Sequence, residues 1–119
     1  MLKEQAANDL ARLGFVSDIA RLERFGNHAD QNGLALIITN DRSLWTPPKP
    51  PGKPTRDREF RIHEDRTLTS QLLWACGDYQ PNTRTLHGTY TLNWQPYSQQ
   101  TGPRGEFRYL AVFTDPQPT

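Results

Sequence analysis

Three features of the chain predict an α+β fold: a helical stretch over residues 2–25, a six-residue apolar run beginning at Leu34, and later runs in which apolar and polar residues alternate. The 119 residues suffice for one domain, 1–119, and only 24 of them are Leu, Ile, Val or Phe, so the predicted core is small. With 14 Lys and Arg against 13 Asp and Glu, the net charge is +1. That near balance separates the chain from disordered sequences of similar polarity, which carry a large excess of one sign. No run approaches the roughly 20 apolar residues of a membrane span. The opening Met1-Leu2-Lys3-Glu4-Gln5 lacks the basic-then-apolar layout of a secretory signal, and a cytoplasmic location with no membrane partner is expected. The single cysteine, Cys76, cannot form an internal disulfide and is expected as a small core residue beside Trp74 and Ala75.

In the helical stretch Leu2, Ala6, Leu10 and Leu13 stand at i, i+4, i+8 and i+11, one side of a helix. Gly14 interrupts this pattern, and Phe15, Ile19 and Leu22, with Val16 and Ala20 alongside, resume it on a rotated surface. A kinked helix or two helices are expected, stopped by Gly26 and Asn27. After the turn Gln31-Asn32-Gly33 comes Leu34-Ala35-Leu36-Ile37-Ile38-Thr39, apolar without alternation, the composition of a buried strand covered on both faces with neighbours on both sides. Nothing N-terminal to the helix supplies such neighbours. A sheet cut beside a central strand leaves apolar surface and an unpaired edge for a second copy, so a homodimer is expected.

Residues 42–58 read as a basic, proline-rich loop. Pro47-Pro48-Lys49-Pro50-Pro51-Gly52-Lys53-Pro54 has polyproline composition, and six cations face three anions over residues 41–61. Phe60-Arg61-Ile62-His63-Glu64 alternates as an edge strand would, with Arg61 and His63 toward solvent. Leu68 to Trp74, the alternating run 86–94 and the run 107–113 are separated by turn formers at 77–82 and 98–103, which predicts an antiparallel meander of about three strands. Residues 114–119, with Pro116 and Pro118, are expected to form a tail.

Catalytic signatures are sparse. No serine has a Gly-x-Ser-x-Gly context, Gly52-Lys53-Pro54-Thr55 lacks the first glycine of a P-loop, and His28, His63 and His87 show no zinc spacing. Metal-dependent nucleases use carboxylates with a lysine, often as Glu-x-Lys. This chain has Glu-x-Arg instead, at 59–61, 64–66 and 106–108, and an arginine that keeps its proton reads better as half of a surface pair.

Taken together, Ala7-Asn8-Asp9-Leu10-Ala11-Arg12-Leu13-Gly14-Phe15, Asp18-Ile19-Ala20-Arg21-Leu22-Glu23, Ala35-Leu36-Ile37-Ile38-Thr39-Asn40-Asp41, Trp45, Phe60-Arg61-Ile62-His63-Glu64, Trp74, Tyr90, Trp94 and Phe107-Arg108-Tyr109-Leu110 cover nearly the whole chain. The pattern resembles the C-terminal portion of a family of uncharacterised bacterial proteins related to PD-(D/E)XK nucleases, the restriction-endonuclease-like fold. The resemblance implies that the acidic residue and the Glu-x-Lys triplet lie on strands before the helix. It further implies that the chain is an incomplete domain without hydrolytic activity of its own, and that Mg²⁺ would bind only with the missing segment. Asn8 and Leu13 stand where the family pattern has glutamine and tyrosine, a departure from an intact active site.

Gln5, Asp9 and Arg12, at i, i+4 and i+7, share one side of the helix, where related nucleases place groups facing the metal or the DNA backbone; an exposed ion pair explains them too. Asn40 and Asp41 close the apolar strand at the end where α/β sheets bind ligands, or else open an Asx turn. Arg12, Lys49, Lys53, Arg56, Arg58, Arg61 and His63 are the candidate nucleic-acid contacts, made to phosphates and therefore weak and salt-sensitive. No residue is assigned a catalytic or metal-binding role. The alternative is a stand-alone protein–protein interaction module that offers the proline segment and Trp45 to a partner. A third reading makes Asp41, Asp57, Glu59 and His63 ligands of a divalent ion in a complete small enzyme.

Overall fold

The computed structural model describes residues 2–25, 33–48 and 55–114. Leu2–Phe25 form one continuous helix, α1, rather than two. A helix-interior glycine costs only about 1 kcal/mol, and the residues that follow Gly14 are fixed by burial. The buried stripe, however, is not the one the leucine spacing predicts. Leu10 is 57% exposed, whereas Asp9, Arg12, Val16, Ile19, Ala20 and Glu23 are buried. These positions fall at i, i+3, i+7, i+10, i+11 and i+14, a single helical face with Leu13 and Leu22 partly buried at its margins. The first turn of that face is ionic because Arg56 and Asp57 meet it from the loop.

Strand β1 (Gly33–Thr39) pairs antiparallel with β5 (Glu106–Thr114), with Leu34 opposite Phe113, Leu36 opposite Ala111 and Ile38 opposite Tyr109. On its other side β5 takes β4 (Gln95–Gln99), so the strand order is β1-β5-β4. Among the described residues the apolar run is therefore an edge strand with one neighbour, not the doubly flanked strand its composition suggests. Ala35 is buried with Leu110 and Val112 beneath α1, while Leu34, Leu36 and Ile38 on the opposite face stay exposed.

The remaining strands do not continue as a meander. Strands β2 (Thr67–Leu72) and β3 (Arg84–Thr91) pair antiparallel in a separate two-stranded sheet with a bulge between Leu68 and Ser70. After β3 the chain leaves that ladder because Leu92 and Trp94 are buried and bond to the stretch before β2. Leu92 exchanges backbone hydrogen bonds with Arg66 and Asp65, and the Trp94 indole donates to the Ile62 carbonyl at 2.8 Å. The alternation at 60–64 is genuine, with Phe60 and Ile62 fully buried, but this stretch forms a 3₁₀ turn (Arg58–Phe60) and irregular backbone instead of an edge strand. Cys76 is exposed rather than in the core. Ala75 and Cys76 have φ of 53° and 56°, and this left-handed turn after buried Trp74 carries the thiol outward.

The two sheets meet through one cluster that combines Val16 and Ile19 of α1, Ala35, Leu110 and Val112 of the larger sheet, Leu68, Leu72 and Leu86 of the smaller, and the connecting Trp45, Phe60, Ile62, Trp74 and Trp94. Trp45 and Trp94 lie 5.7 Å apart at 55°, and Phe60 meets Trp74 edge-on at 5.3 Å. Among the described residues no helix is long and apolar enough to cross a membrane.

Near its end α1 is tied to β3 by Glu23, which is 1% exposed. Its carboxylate accepts the backbone N–H groups of His87 (2.9 Å) and Gly88 (2.8 Å) and the hydroxyl of Tyr90 (2.5 Å). Gly88 makes this approach feasible, since a Cβ there would lie 2.5 Å from the Tyr90 oxygen. Glu23→Ala leaves donors without their acceptor and should destabilise the protein by about 3 kcal/mol in urea unfolding, with Tyr90→Phe costing about 1 kcal/mol. Losses below about 0.5 kcal/mol for both variants would show that this tie carries no stability.

Candidate functional site

The loop entering the first 3₁₀ turn brings charges of both signs onto the N-terminal half of α1. Arg12 donates to Asp57 Oδ2 at 2.5 Å and to the Ser43 carbonyl at 3.3 Å, and lies 3.7 Å from Asp9. Arg56 Nε reaches Asp9 Oδ2 at 2.9 Å while its guanidinium sits 5.4 Å above the Trp74 ring. Burial pushes the Asp57 carboxyl up, but hydrogen bonds from Thr55 and Arg12 outweigh it and hold the group below the usual carboxylate range. Asp9 moves the other way, raised chiefly by burial despite the bond from Arg56. The pair Asp9 and Arg12, anticipated on one helix side, is thus together but buried and partnered. Arg12 and Arg56 have their charge matched within the molecule, which leaves little of it for a phosphate.

The other predicted contacts scatter. Lys49 and Lys53 lie outside the described residues, as does the side chain of Gln5. Arg58 is exposed, and Arg61 is half-buried with a 3.4 Å contact to Thr55 Oγ1. His63 is half-buried, and burial together with the cations Arg66, Arg61 and Arg12 holds its pKa below the usual imidazole value, so the ring is neutral at neutral pH.

Asn40 and Asp41 do mark the end of β1. Asp41 caps the short helix α2 (Arg42–Trp45), accepting Ser43 N at 3.0 Å and Ser43 Oγ at 2.6 Å, and Asn8 donates to the same hydroxyl at 2.9 Å. Burial raises the Asp41 pKa, but the Ser43 hydrogen bonds, helped by Asn8 and Arg12, bring it below its ordinary value. Asn40 donates to the Arg104 carbonyl at 3.0 Å. Together with Arg42, Arg104 and Glu106 these residues line a cleft of about 710 Å³ in which two cations and two carboxylates cancel. Trp45, expected to meet a partner, is buried beneath the Arg108 guanidinium at 4.7 Å. The proposed metal ligands are engaged separately, Asp57 with Arg12, Asp41 with Ser43 and Glu59 with the Leu73 N–H. Among the described residues no three His, Cys, Asp or Glu side chains gather to hold a metal ion, so the residues present do not fit a divalent-cation site.

The most distinctive surface is the outer face of the larger sheet. The register places Leu34, Leu36 and Ile38 beside Phe113, Ala111 and Tyr109, and Ser98 opposite Phe107. The Tyr97 ring meets Tyr109 edge-on at 6.4 Å. Leu34, Leu36, Ile38, Tyr97 and Phe113 are 49%, 52%, 44%, 59% and 68% exposed. Their exposed parts come to roughly 600 Å², the upper end of the largest patch on an ordinary soluble monomer. None of the ten outward residues, which include Gln95, carries a charge. The sequence signal for this face was present as two period-2 series, 34/36/38 and 107/109/111/113, but only their pairing shows that they share one face. No protein-family model, no curated protein and no solved structure matches the chain.

The His63 shift has a definite sign. Its folded pKa lies below the unfolded value, so the unfolded chain takes up the proton first and stability falls as pH drops below the ordinary imidazole range. Urea unfolding from about pH 7.5 to about pH 5.5 should show a loss of stability that is smaller in His63→Gln. A steeper loss in the variant would reverse the assignment.

Proposed function

We propose that the chain is a protein-interaction module that works as a homodimer, two copies docking the outer faces of their three-stranded sheets. The observation that carries this reading is the exposed apolar face without a charged residue. A two-fold dimer needs a patch that complements itself, and a broad uncharged sheet face meets that condition against its own copy with no unpaired charge to bury. Two such faces pack at a separation of about 10 Å with their side chains interdigitated, as in a β-sandwich. The partly exposed Phe107, Tyr109 and Ala111 extend the patch toward the roughly 800 Å² that each partner contributes to an interface of standard size.

Sedimentation should find a dimer at about 50 μM. Leu36→Lys and Phe113→Lys should each raise the dissociation constant about 100-fold, since each buries a charge within the docked face. Leu10→Lys, on the exposed side of α1, should leave it unchanged. A native chain that is monomeric at about 100 μM, or a dimer indifferent to both sheet substitutions, would contradict the proposal.

A further inference from the structure

Between the C-terminal half of α1 and the start of β3 lies a second cleft, of about 540 Å³, bordered by Ser17, Asp18, Arg21, Arg24, Arg84 and His87. Three arginines here face one carboxylate, whereas charges cancel in the cleft at Asn40 and Asp41. We propose that this second cleft binds a small ligand through a phosphate group.

Arg84 gives the site its geometry. Its Nε donates to Ser17 Oγ at 2.9 Å, and its Nη1 donates to the carbonyls of Pro81 (2.9 Å) and Thr83 (3.0 Å), leaving Nη2 uncommitted among the described residues. A guanidinium held by three hydrogen bonds loses little freedom when it meets an oxyanion, and the two N–H groups of its Nη2 remain to donate to phosphate oxygens. Ser17, having accepted from Arg84, still has its own hydroxyl proton to donate. Arg21 and Arg24 stand one turn apart on the same side of α1. Arg21 shares its charge with Asp18 at 2.9 Å, and Arg24 has no ion-pair partner among the described residues. The helix end alone accounts for a cation at Arg24, but it does not account for Arg84, which comes from a strand. Glu23, the nearest further carboxylate in sequence, is committed inward to His87, Gly88 and Tyr90 and does not neutralise the cleft. The volume falls in the range of about 300–1,000 Å³ typical of small-molecule sites.

Titration calorimetry at low salt should show inorganic phosphate and glycerol phosphate binding one to one, and glycerol alone giving no heat. Arg84→Gln and Arg24→Gln should each weaken binding about tenfold. Arg24 makes no hydrogen bond among the described residues, so its variant keeps the test valid if Arg84→Gln unfolds. Arg42→Gln, in the charge-balanced cleft, should leave binding unchanged. The proposal is overturned by no saturable heat up to about 10 mM phosphate, which would place any affinity weaker than about −3 kcal/mol. It is equally overturned if Arg42→Gln weakens binding as much as Arg24→Gln does. An oligonucleotide without a terminal phosphate that binds more tightly than glycerol phosphate would also overturn it, in favour of a nucleic-acid backbone.

Discussion

A single helix serves two separate sheets. One face of α1 packs against both β1 and β3, and the core at Val16, Ile19 and Ala20 lies where the three elements meet. The rotation of the helix about its own axis is set at the ends of that face by charge. Arg12 with Asp57 fixes one end, and Glu23 with the β3 backbone fixes the other. Removing one partner of such a buried pair costs about 3–5 kcal/mol. A helix rotated to bury Leu10 would strand these groups, which explains why an apparently good leucine sits in solvent.

With α1 packed on the inner faces, no element among the described residues covers the outer face of the larger sheet. An antiparallel sheet with one solvated face ordinarily alternates apolar inside and polar outside. Here the outward positions of β1 and β5 are as apolar as the inward ones, so Leu34, Leu36, Ile38 and Phe113 are withheld from a core that is already small. A partner that buries this face would stabilise the folded chain by mass action as well as by contact, and the stability of the protein would then depend on its concentration.

Much of the architecture was legible in the residues. The helix at 2–25, a strand at 34–39 and the α+β class follow from period and composition, and the cap at Asp41 follows from an Asx signal, whereas β4 (Gln95–Gln99) runs into the stretch 98–103 expected as a turn. The features that were not legible depend on pairing across long separations. Nothing local shows that Leu92 and Trp94 will bond to residues 62–66 and split the strands into two sheets. Nothing local reveals that Asp9 and Arg12 face inward, because their partners lie more than forty positions away. Trp45 is expected to join the proline segment in meeting a partner in the manner of a polyproline ligand, but Trp94 and Arg108 enclose it. The arginine-lined cleft joins residues 17–24 to residues 83–87 and has no contiguous motif to announce it.

The uncovered sheet face is tested most directly by nuclear Overhauser contacts in a mixture of isotope-labelled and unlabelled chains, filtered to record only pairs between different molecules. The methyl groups of Leu34, Leu36 and Ile38 should show contacts to the rings of Phe113 and Tyr97 on the other copy. Intermolecular contacts confined to α1, or none at concentrations where the protein is well folded, would contradict it.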